Sequence, residues 1–444
     1  MEKSGTLHHT VIVGGGFGGL YAAKELAKSS KVKITLIDKR NFHLFQPLLY
    51  QVATGGLSPG DIASPLRSVL NRYKNVTVLR AKVVGIIPDK KEVELKDGRN
   101  IQFDSLIIST GVRYNYFSNE KWQEKAPPLK TMEDALGIRN RIFHAFEEAE
   151  REVSKEIRSE WLRFIIVGGG PTGVELAGAL GELTGHTLKE DFRNFDPMQA
   201  EIILVEALDR ILPPFSKSSS QKAENQLKKL GVTIRTNTMV TNIKDDEVIL
   251  KEGDNLIHLR AKTILWAAGV KASKISEILV KKLNVKTDKV GRVYVNPNLT
   301  VNDAEDIFVI GDLAHFEHQN GEPLPGLAPV AMQQGKYAAK LIKYRLNGKQ
   351  SEKFNYFDKG SLAVIGRNKA IAEMWKFGFS GFFAWLIWAF IHIRYLIEFD
   401  SKILVMIQWT WNYFTMKRGA RLITGDAPFP YMDDDYYSET MKDE

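Results

Sequence analysis

The chain has 444 residues, too many for a single hydrophobic core, so we expect two or three domains. Its composition, 44% hydrophobic and 26% charged, excludes a fibrous or wholly disordered protein, and its net charge of +8 fits an anionic partner without choosing among nucleic acid, lipid and a charged cofactor. Because the chain contains no cysteine, it cannot form disulfides, cysteine-ligated zinc sites or iron–sulfur clusters, and it cannot relay electrons through a thiol.

The first predicted elements form a strand, a helix and a second strand. The β-rich run His9–Val13 leads into a glycine turn, Leu20–Lys28 is helix-forming, and the β-branched run Val32–Ile37 ends in Asp38. This order of elements predicts a parallel α/β unit. The apolar run before the turn leaves no room for a secretory signal, so we expect the catalytic body to lie in the cytoplasm.

The turn itself, Gly14–Gly19, fits the pattern G-x-G-x-x-G. Its first glycine permits the tight turn, the second lets the backbone approach a pyrophosphate, and the third lets helix and strand pack closely. The helix N-terminus offers free N–H groups to phosphate, and Asp38 can bond ribose hydroxyls. The segment therefore predicts a dinucleotide site.

The same unit recurs later in the chain. The strand Phe164–Val167 precedes the glycine turn Gly168–Gly173, Val174–Leu183 is the predicted helix, and the strand Ile202–Val205 ends in Glu206. Two such units in one chain imply two cofactors, for which a bound flavin and an exchanging nicotinamide are the natural pair.

The acid of the second unit, Glu206, lies further along the chain from its glycine turn than is usual for such units. We therefore interpret residues 190–197 as an insertion. The charge of Glu206 should repel a 2′-phosphate, whereas its oxygens can accept bonds from a free 2′-hydroxyl. We therefore predict NADH rather than NADPH, although Arg210 lies close enough in sequence to weaken the preference.

Three further strand-to-glycine junctions support a nested α/β fold. They end at Gly111, at Gly269 and at Gly311-Asp312. Between the two glycine turns, the charged stretch Glu147–Glu160 is predicted to be one exposed helix.

After about Lys349 the chain changes character. Phe377–Ile393 and Ile403–Phe414 are apolar, and we expect two helices that lie on or dip into one membrane leaflet. Core or dimer helices are one alternative, and a single membrane span is another. The aromatic and basic side chains suited to a lipid interface are Trp375, Trp385, Trp388, Trp409 and Trp411, with Lys376, Arg394, Lys402, Lys417 and Arg418.

With both turns placed, the chain resembles the two-dinucleotide-binding-domain flavoproteins, and among them the type II NADH:quinone oxidoreductases, from Val11 to about Thr424. One position departs from the family pattern: many members carry glutamine where this chain has Pro329. The polar contact to quinone that such a glutamine would make is therefore absent here. The stretches that carry the resemblance are Asp38–Gly55, Gly169–Gly178, Ile310–Asp312 and Ala328–Gly335.

The resemblance implies roles for individual residues. Glu175, predicted on the first turn of its helix, would bond the nicotinamide carboxamide or relay protons; the alternative is an acid stabilised only by the helix dipole. Gln333 and Gln334, predicted at a helix start, would line the quinone pocket or bond the flavin ring; the alternative is capping or exposure. The predicted FAD contacts are Gly14, Gly16, Phe17, Gly18, Gly19, Asp38, Lys39, Gln46, Val83, Thr110, Gly111, Asp312 and Ala331. The predicted NADH contacts are Gly168, Gly170, Pro171, Thr172, Gly173, Glu175, Glu206, Ala268 and Gly269.

The predicted fold class is α/β, with two Rossmann-like dinucleotide-binding domains, the NAD domain inserted in the FAD domain, and a C-terminal helical membrane-surface region. The expected segments are 1–115 and 286–350 for the FAD domain, 116–285 for the NADH domain and 351–444 for membrane association.

The expected reaction is FAD-dependent oxidation of NADH, with direct two-electron transfer from flavin to a membrane quinone and no proton pumping. The lack of cysteine argues against related enzymes that pass electrons through a thiol. The alternatives are a soluble NADH-dependent reductase of a small redox protein and an FAD- and NADH-binding sensor of low turnover. We expect a peripheral position on the cytoplasmic face of the cell membrane and neither a metal nor a nucleic acid as partner; a homodimer is left open.

Overall fold

The computed structural model describes residues 7–350, 352–374, 377–415 and 417–424. These residues divide into two compact units, and each is described by itself. The first unit takes its residues from Met1–Leu44, Ala63–Arg113 and Val270–Asp358, and the second from Phe45–Ile62, Tyr114–Gly269 and Lys359–Glu444.

The strands, numbered in chain order, are β1 (His8–Val13), β2 (Val32–Asp38), β3 (Phe42–Leu44), β4 (Ala63–Pro65), β5 (Val76–Arg80), β6 (Val83–Ile87), β7 (Glu92–Leu95), β8 (Asn100–Gln102), β9 (Ser105–Ile108), β10 (Val112–Tyr114), β11 (Arg163–Val167), β12 (Glu201–Val205), β13 (Val232–Arg235), β14 (Thr238–Lys244), β15 (Glu247–Glu252), β16 (Asn255–Arg260), β17 (Thr263–Trp266), β18 (Val270–Ala272), β19 (Val293–Tyr294), β20 (Thr300–Val301), β21 (Ala304–Val309), β22 (Ala314–His315), β23 (Ser361–Gly366), β24 (Lys369–Met374) and β25 (Phe377–Ser380). The helices are α1 (Phe17–Leu26), α2 (Leu49–Ala53), α3 (Pro59–Ile62), α4 (Leu66–Leu70), α5 (Met132–Arg151), α6 (Lys155–Trp161), α7 (Pro171–Glu182), α8 (Lys217–Lys228), α9 (Ile275–Leu283), α10 (Ala328–Arg345), α11 (Phe382–Tyr395) and α12 (Phe399–Thr415).

The first unit is built on a six-stranded sheet in the order β20-β21-β9-β1-β2-β5. Neighbouring strands from β21 to β5 are parallel, and β20 joins the edge antiparallel. Their runs of Val, Ile and Leu are buried on both faces, as parallel strands covered by helices require. Because β1, β9 and β21 run parallel, their carboxyl ends lie at one edge of the sheet.

The second unit repeats this plan with the parallel order β13-β12-β11-β17. Antiparallel β14-β15-β16 pack their buried side chains with this sheet around Trp266 and Tyr116. Because Tyr114–Gly269 interrupts the first unit along the chain, the predicted insertion of one dinucleotide-binding fold in the other is confirmed. The segment Phe45–Ile62 and the described residues from Lys359 onward also belong to the second unit.

The single helix predicted for Glu147–Glu160 is wrong. α5 ends at Arg151 and α6 begins at Lys155, because Glu152 turns to extended backbone and Ser154 caps the new helix by accepting from the N–H of Ile157. A cap of this kind stabilises a helix start by about 1 kcal/mol.

The C-terminal apolar runs are helical only in part. Phe377–Ser380 forms strand β25 against β24, and Gly381, with φ +79°, turns the chain into α11, so a helix over all of Phe377–Ile393 is wrong. The predicted helix at Ile403–Phe414 is confirmed as part of α12. Within the described residues, no helix combines the length and the apolarity needed to cross a bilayer. Trp375 and Lys376 lie outside the described residues.

Candidate functional site

The glycine turn after β1 has the shape of a phosphate cradle. Gly14 has φ +105°, which side chains disfavour, and a Cβ on Gly19 would lie 1.8 Å from the carbonyl oxygen of Gly14. A Cβ on Gly16, by contrast, would meet no atom within 4 Å, so open space lies in front of the α1 N-terminus. Open space in front of a helix N-terminus fits a pyrophosphate.

Asp38, at the end of β2, holds this turn in place. Its carboxylate accepts from the N–H of Gly15 at 2.5 Å and from that of Arg40 at 2.7 Å. Burial raises the pKa of Asp38, although these two hydrogen bonds oppose the shift. His43, which the sequence analysis missed, supports the turn: its Nδ1 lies 3.0 Å from the Gly15 carbonyl oxygen, its ring packs edge-on against Phe17, and burial lowers its pKa to about 4, so the ring is neutral.

Two more predicted FAD contacts follow β9 and β21, the next two strands of the sheet on one side of β1. Thr110 follows β9, with its Oγ1 2.6 Å from Ser273 Oγ, and Asp312 lies in the 3₁₀ turn Gly311–Leu313 after β21. Because β1, β9 and β21 are parallel neighbours, the sheet brings Gly14, Thr110 and Asp312 to the same edge. Ligands of open α/β sheets bind at this kind of edge.

The remaining predicted FAD contacts are more scattered. Lys39 is exposed, Val83 is half-buried at the start of β6, and Ala331 is buried in α10. Gln46 belongs to the second unit, where its amide donates to the carbonyl oxygen of Lys130 at 2.7 Å. Contact of these four residues with FAD stays a prediction.

The second glycine turn repeats the first. Gly168 has φ +108°, a Cβ on Gly173 would lie 1.8 Å from the Gly168 carbonyl oxygen, and a Cβ on Gly170 would meet nothing within 4 Å. Pro171 occupies the first position of α7, where its missing N–H costs no hydrogen bond. Glu206, after β12, accepts from the N–H of Gly169 at 2.6 Å. This unit therefore has a second cradle of the same design.

Ala268 and Gly269 follow β17, the strand beside β11 in the same sheet. Gly269 has φ +68°, and a Cβ there would lie 2.6 Å from the ring of Phe117, so only glycine fits. Parallel pairing of β11 with β17 brings this segment to the same sheet edge as the second glycine turn.

Glu175 lies deeper in α7 than predicted. The helix begins at Pro171, so Glu175 is its fifth residue and not on the first turn; stabilisation as a first-turn acid is therefore wrong. Its carboxylate accepts a hydrogen bond from the backbone N–H of Val364, yet burial raises the pKa of Glu175 to about 8. The carboxyl group is therefore mostly protonated at neutral pH and can donate a hydrogen bond.

The two predicted quinone contacts are bonded to backbone in this structure. Gln334 is buried in α10, and its Oε1 accepts from the N–H of Gly311 at 2.6 Å. Gln333 bonds both backbone groups of Phe357, donating to the oxygen at 2.9 Å and accepting from the N–H at 3.0 Å. Both lie one turn or more inside α10, which begins at Ala328, so neither caps the helix.

Comparisons with known proteins agree with this geometry. The pyridine nucleotide-disulphide oxidoreductase family model matches residues 8–335. The type II NADH:quinone oxidoreductase Ndh of Mycobacterium tuberculosis is 43% identical, over 95% of this chain and 91% of that protein. The type II NADH:quinone oxidoreductase of Staphylococcus saprophyticus is 31% identical, over 82% of this chain and 89% of its own.

A solved structure of NDH2 from Plasmodium falciparum in complex with NADH has the same fold. Its TM-score is 0.86, with 20% identity, 94% of this chain covered and 100% of the other. The two cradles, their strand-end acids and these sequence identities lead to one assignment. The chain belongs to the type II NADH:quinone oxidoreductases, within the pyridine nucleotide-disulphide oxidoreductase family.

Proposed function

We propose that this chain oxidises NADH with bound FAD and passes two electrons directly to a membrane quinone, without pumping protons. The observation that carries the proposal is the pair of cradles: each has open space at its second glycine, at Gly16 and at Gly170, and an acid bonded across the turn. Bound FAD supplies two-electron redox chemistry, and the protein positions it. A chain without cysteine has no thiol through which the electrons could travel.

The first unit would hold FAD through its glycine turn, Asp38, Thr110 and Asp312. The second would hold NADH through its own turn, with the Glu206 carboxylate available to ribose hydroxyls. The remaining members of the proposed FAD set are Lys39, Gln46, Val83, Gly111 and Ala331, and those of the proposed NADH set are Glu175, Ala268 and Gly269.

Glu175 is the proposed catalytic residue. Because its carboxyl group is protonated at neutral pH, it can donate a hydrogen bond to a carboxamide oxygen or supply a proton when the quinone is reduced. Gln333 and Gln334 remain proposed quinone contacts. Gln333 bonds the backbone through both ends of its amide, so one of these hydrogen bonds must open or be shared before it binds quinone, whereas Gln334 bonds Gly311 through its oxygen.

The membrane is the proposed location. α11 and α12 carry a set of exposed large apolar side chains that would otherwise face water, which single soluble chains rarely tolerate. The set comprises Phe382, Phe383, Leu386 and Phe390 on α11 and Ile403, Leu404, Met406, Ile407, Trp411 and Phe414 on α12. Arg394, Lys402 and Lys417 add positive charge that attracts anionic headgroups. We assign this surface to the cytoplasmic face of the cell membrane, and a homodimer stays a prediction.

The test is a spectrum of the protein purified in detergent without oxygen. Flavin absorbance should bleach when NADH is added and recover when a short-chain quinone follows. A preparation without flavin, or one that NADH does not bleach, would overturn the proposal. A flavin that bleaches and recovers only with a small redox protein would favour the soluble reductase.

A further inference from the structure

A chain of two hydrogen bonds connects the apolar helix α12 to a buried tyrosine in the second unit. The indole N–H of Trp409 donates to Gln51 Oε1 at 2.9 Å, and Gln51 Nε2 lies 2.8 Å from Tyr50 Oη. Tyr50 is only 7% exposed, and it lies with Gln51 in the short helix α2.

Elementary hydrogen-bond chemistry fixes the direction of both bonds. An indole N–H only donates, so the atom of Gln51 that faces Trp409 must be the oxygen. The NH₂ end of the same amide must then face Tyr50, and an NH₂ group only donates. Tyr50 Oη is therefore the acceptor, and its own hydrogen is free for another partner. Among the described residues, no acceptor for that hydrogen is found.

The surroundings of Tyr50 keep the hydroxyl protonated. Burial and the nearby carboxyl groups of Glu175 and Glu182 hold the pKa of Tyr50 well above its usual value, although the hydrogen bond from Gln51 and the charge of Arg418 oppose them. Tyr50 therefore remains a hydrogen-bond donor throughout the physiological pH range.

Trp409 is itself fixed by packing. Its ring stacks on Trp388, with centroids 5.1 Å apart and planes 24° apart, and Trp388 is almost fully buried. Rotation of the indole would break this stack, so the N–H direction is set by the fold of α11 and α12.

The geometry points to Tyr50 as a hydrogen-bond donor to a carbonyl oxygen of the quinone, and to Gln51 and Trp409 as positioning residues that keep its O–H directed away from the protein's own amide. The inference rests on the proposed function. A quinone offers two carbonyl oxygens that accept and no group that donates. Negative charge builds on those oxygens during reduction, so a donor held beforehand stabilises the transition state. The exposed apolar side chains of α12 give a lipid-soluble substrate a surface along which to approach.

The test compares Tyr50→Phe, Trp409→Phe and their combination, with Trp161→Phe, in α6, as the matched control. NADH turnover is measured with a water-soluble short-chain quinone, which removes membrane binding from the assay. It is measured again with ferricyanide, which has no carbonyl to bond.

We expect Tyr50→Phe to lower kcat/KM for the quinone about tenfold, the effect of about 1.4 kcal/mol. Trp409→Phe should lower it about threefold, because Gln51 can then turn its oxygen to Tyr50 and accept the free hydrogen. The double variant should match Tyr50→Phe alone, since the tryptophan acts only through the tyrosine. The rates with ferricyanide should be the same in all variants as in wild type, and Trp161→Phe should keep the wild-type kcat/KM for quinone.

Three results would overturn the inference: an unchanged quinone kcat/KM in Tyr50→Phe, an equal loss with ferricyanide, or a Trp409→Phe effect that persists in full in the Tyr50→Phe background. If Tyr50→Phe loses its flavin, Gln51→Leu takes its place in the comparison of single and double variants with Trp409→Phe. A wild-type protein that fails with quinone altogether would instead overturn the proposed function.

Discussion

The Glu206 carboxylate accepts a hydrogen bond from the backbone N–H of Gly169, with 2.6 Å between oxygen and nitrogen. Its second oxygen accepts from the N–H of Leu208 at 2.8 Å, so one oxygen is anchored at the glycine turn and the other in the loop after β12. Asp38 does the same for Gly15 and Arg40 in the first unit. In each unit the acid therefore holds the turn together and also places a negative charge where the ribose of a dinucleotide would lie.

Replacement of that charge should change the choice of nucleotide. In Glu206→Gln, the repulsion of a 2′-phosphate is lost, so we expect the ratio of kcat/KM for NADPH to that for NADH to rise about tenfold, or about 1.4 kcal/mol. Steady-state rates with each nucleotide and ferricyanide measure the ratio. Glu201→Gln, at the other end of β12, is the control and should leave this ratio at its wild-type value. An unchanged ratio in Glu206→Gln would contradict the assignment.

The glycine turns and their acids were predictable because the signal is local. Strand, glycines, helix and acid fall within about 40 residues of one another, and each glycine has a backbone or packing reason that the pattern encodes. The structure places Gly168 and Gly173 in a tight turn and bonds Glu206 to it, as the pattern predicts, and their contact with NADH stays a prediction.

The rest of the site depends on contacts between distant parts of the chain. Glu175 meets Val364, and Gln51 meets Trp409 358 residues away. Nothing near either residue in the sequence signals its partner, because the fold alone brings them together. The apolar run from Phe377 misled for a related reason: pairing with β24 makes its first four residues a strand, although their composition also suits a helix.

The glycines of the NADH turn should separate folding from binding. Gly170→Ala adds a Cβ that meets nothing in the protein, so the fold and the flavin should be retained while KM for NADH rises at least tenfold, since the methyl group occupies the phosphate space. Gly173→Ala forces a Cβ against the Gly168 carbonyl oxygen and should lower the apparent Tm as well. Thermal denaturation and NADH kinetics measure both effects. Equal KM in wild type and Gly170→Ala would argue against phosphate binding there.

Membrane binding is better tested by point changes than by truncation. Deletion of the C-terminal region would remove Arg418, which donates to Glu182 at 3.3 Å and to the carbonyl oxygen of the buried Thr54 at 3.2 Å, so both would lose a partner. A truncated protein would then be unstable whether or not it binds lipid.

Two exposed phenylalanines of α11 are suitable targets, because neither supports the interior. The double variant Phe383→Asp with Phe390→Asp should reduce binding to anionic lipid vesicles about tenfold or more in a flotation assay, since burial of each ring in lipid contributes about 1.5–3 kcal/mol. NADH:ferricyanide activity should be retained. Phe357→Asp, an exposed phenylalanine of the first unit, is the control and should float like wild type. Undiminished flotation of the double variant would contradict a membrane role for α11.

Glu175 should make stability depend on pH in a definite direction. The unfolded chain releases this proton near pH 4.5, whereas the folded protein releases it at about 8, because burial disfavours the charged form. Between these values the folded state binds more protons than the unfolded state, so the free energy of unfolding falls as pH rises through this window and levels off above it. Glu175→Gln cannot titrate, so the apparent Tm of the variant minus that of wild type should increase from pH 5 to pH 9. The same variant should lose the kinetic pKa near 8 from kcat/KM for quinone if the group supplies a proton. A Tm difference that stays constant across this range would show that Glu175 is not held protonated by burial.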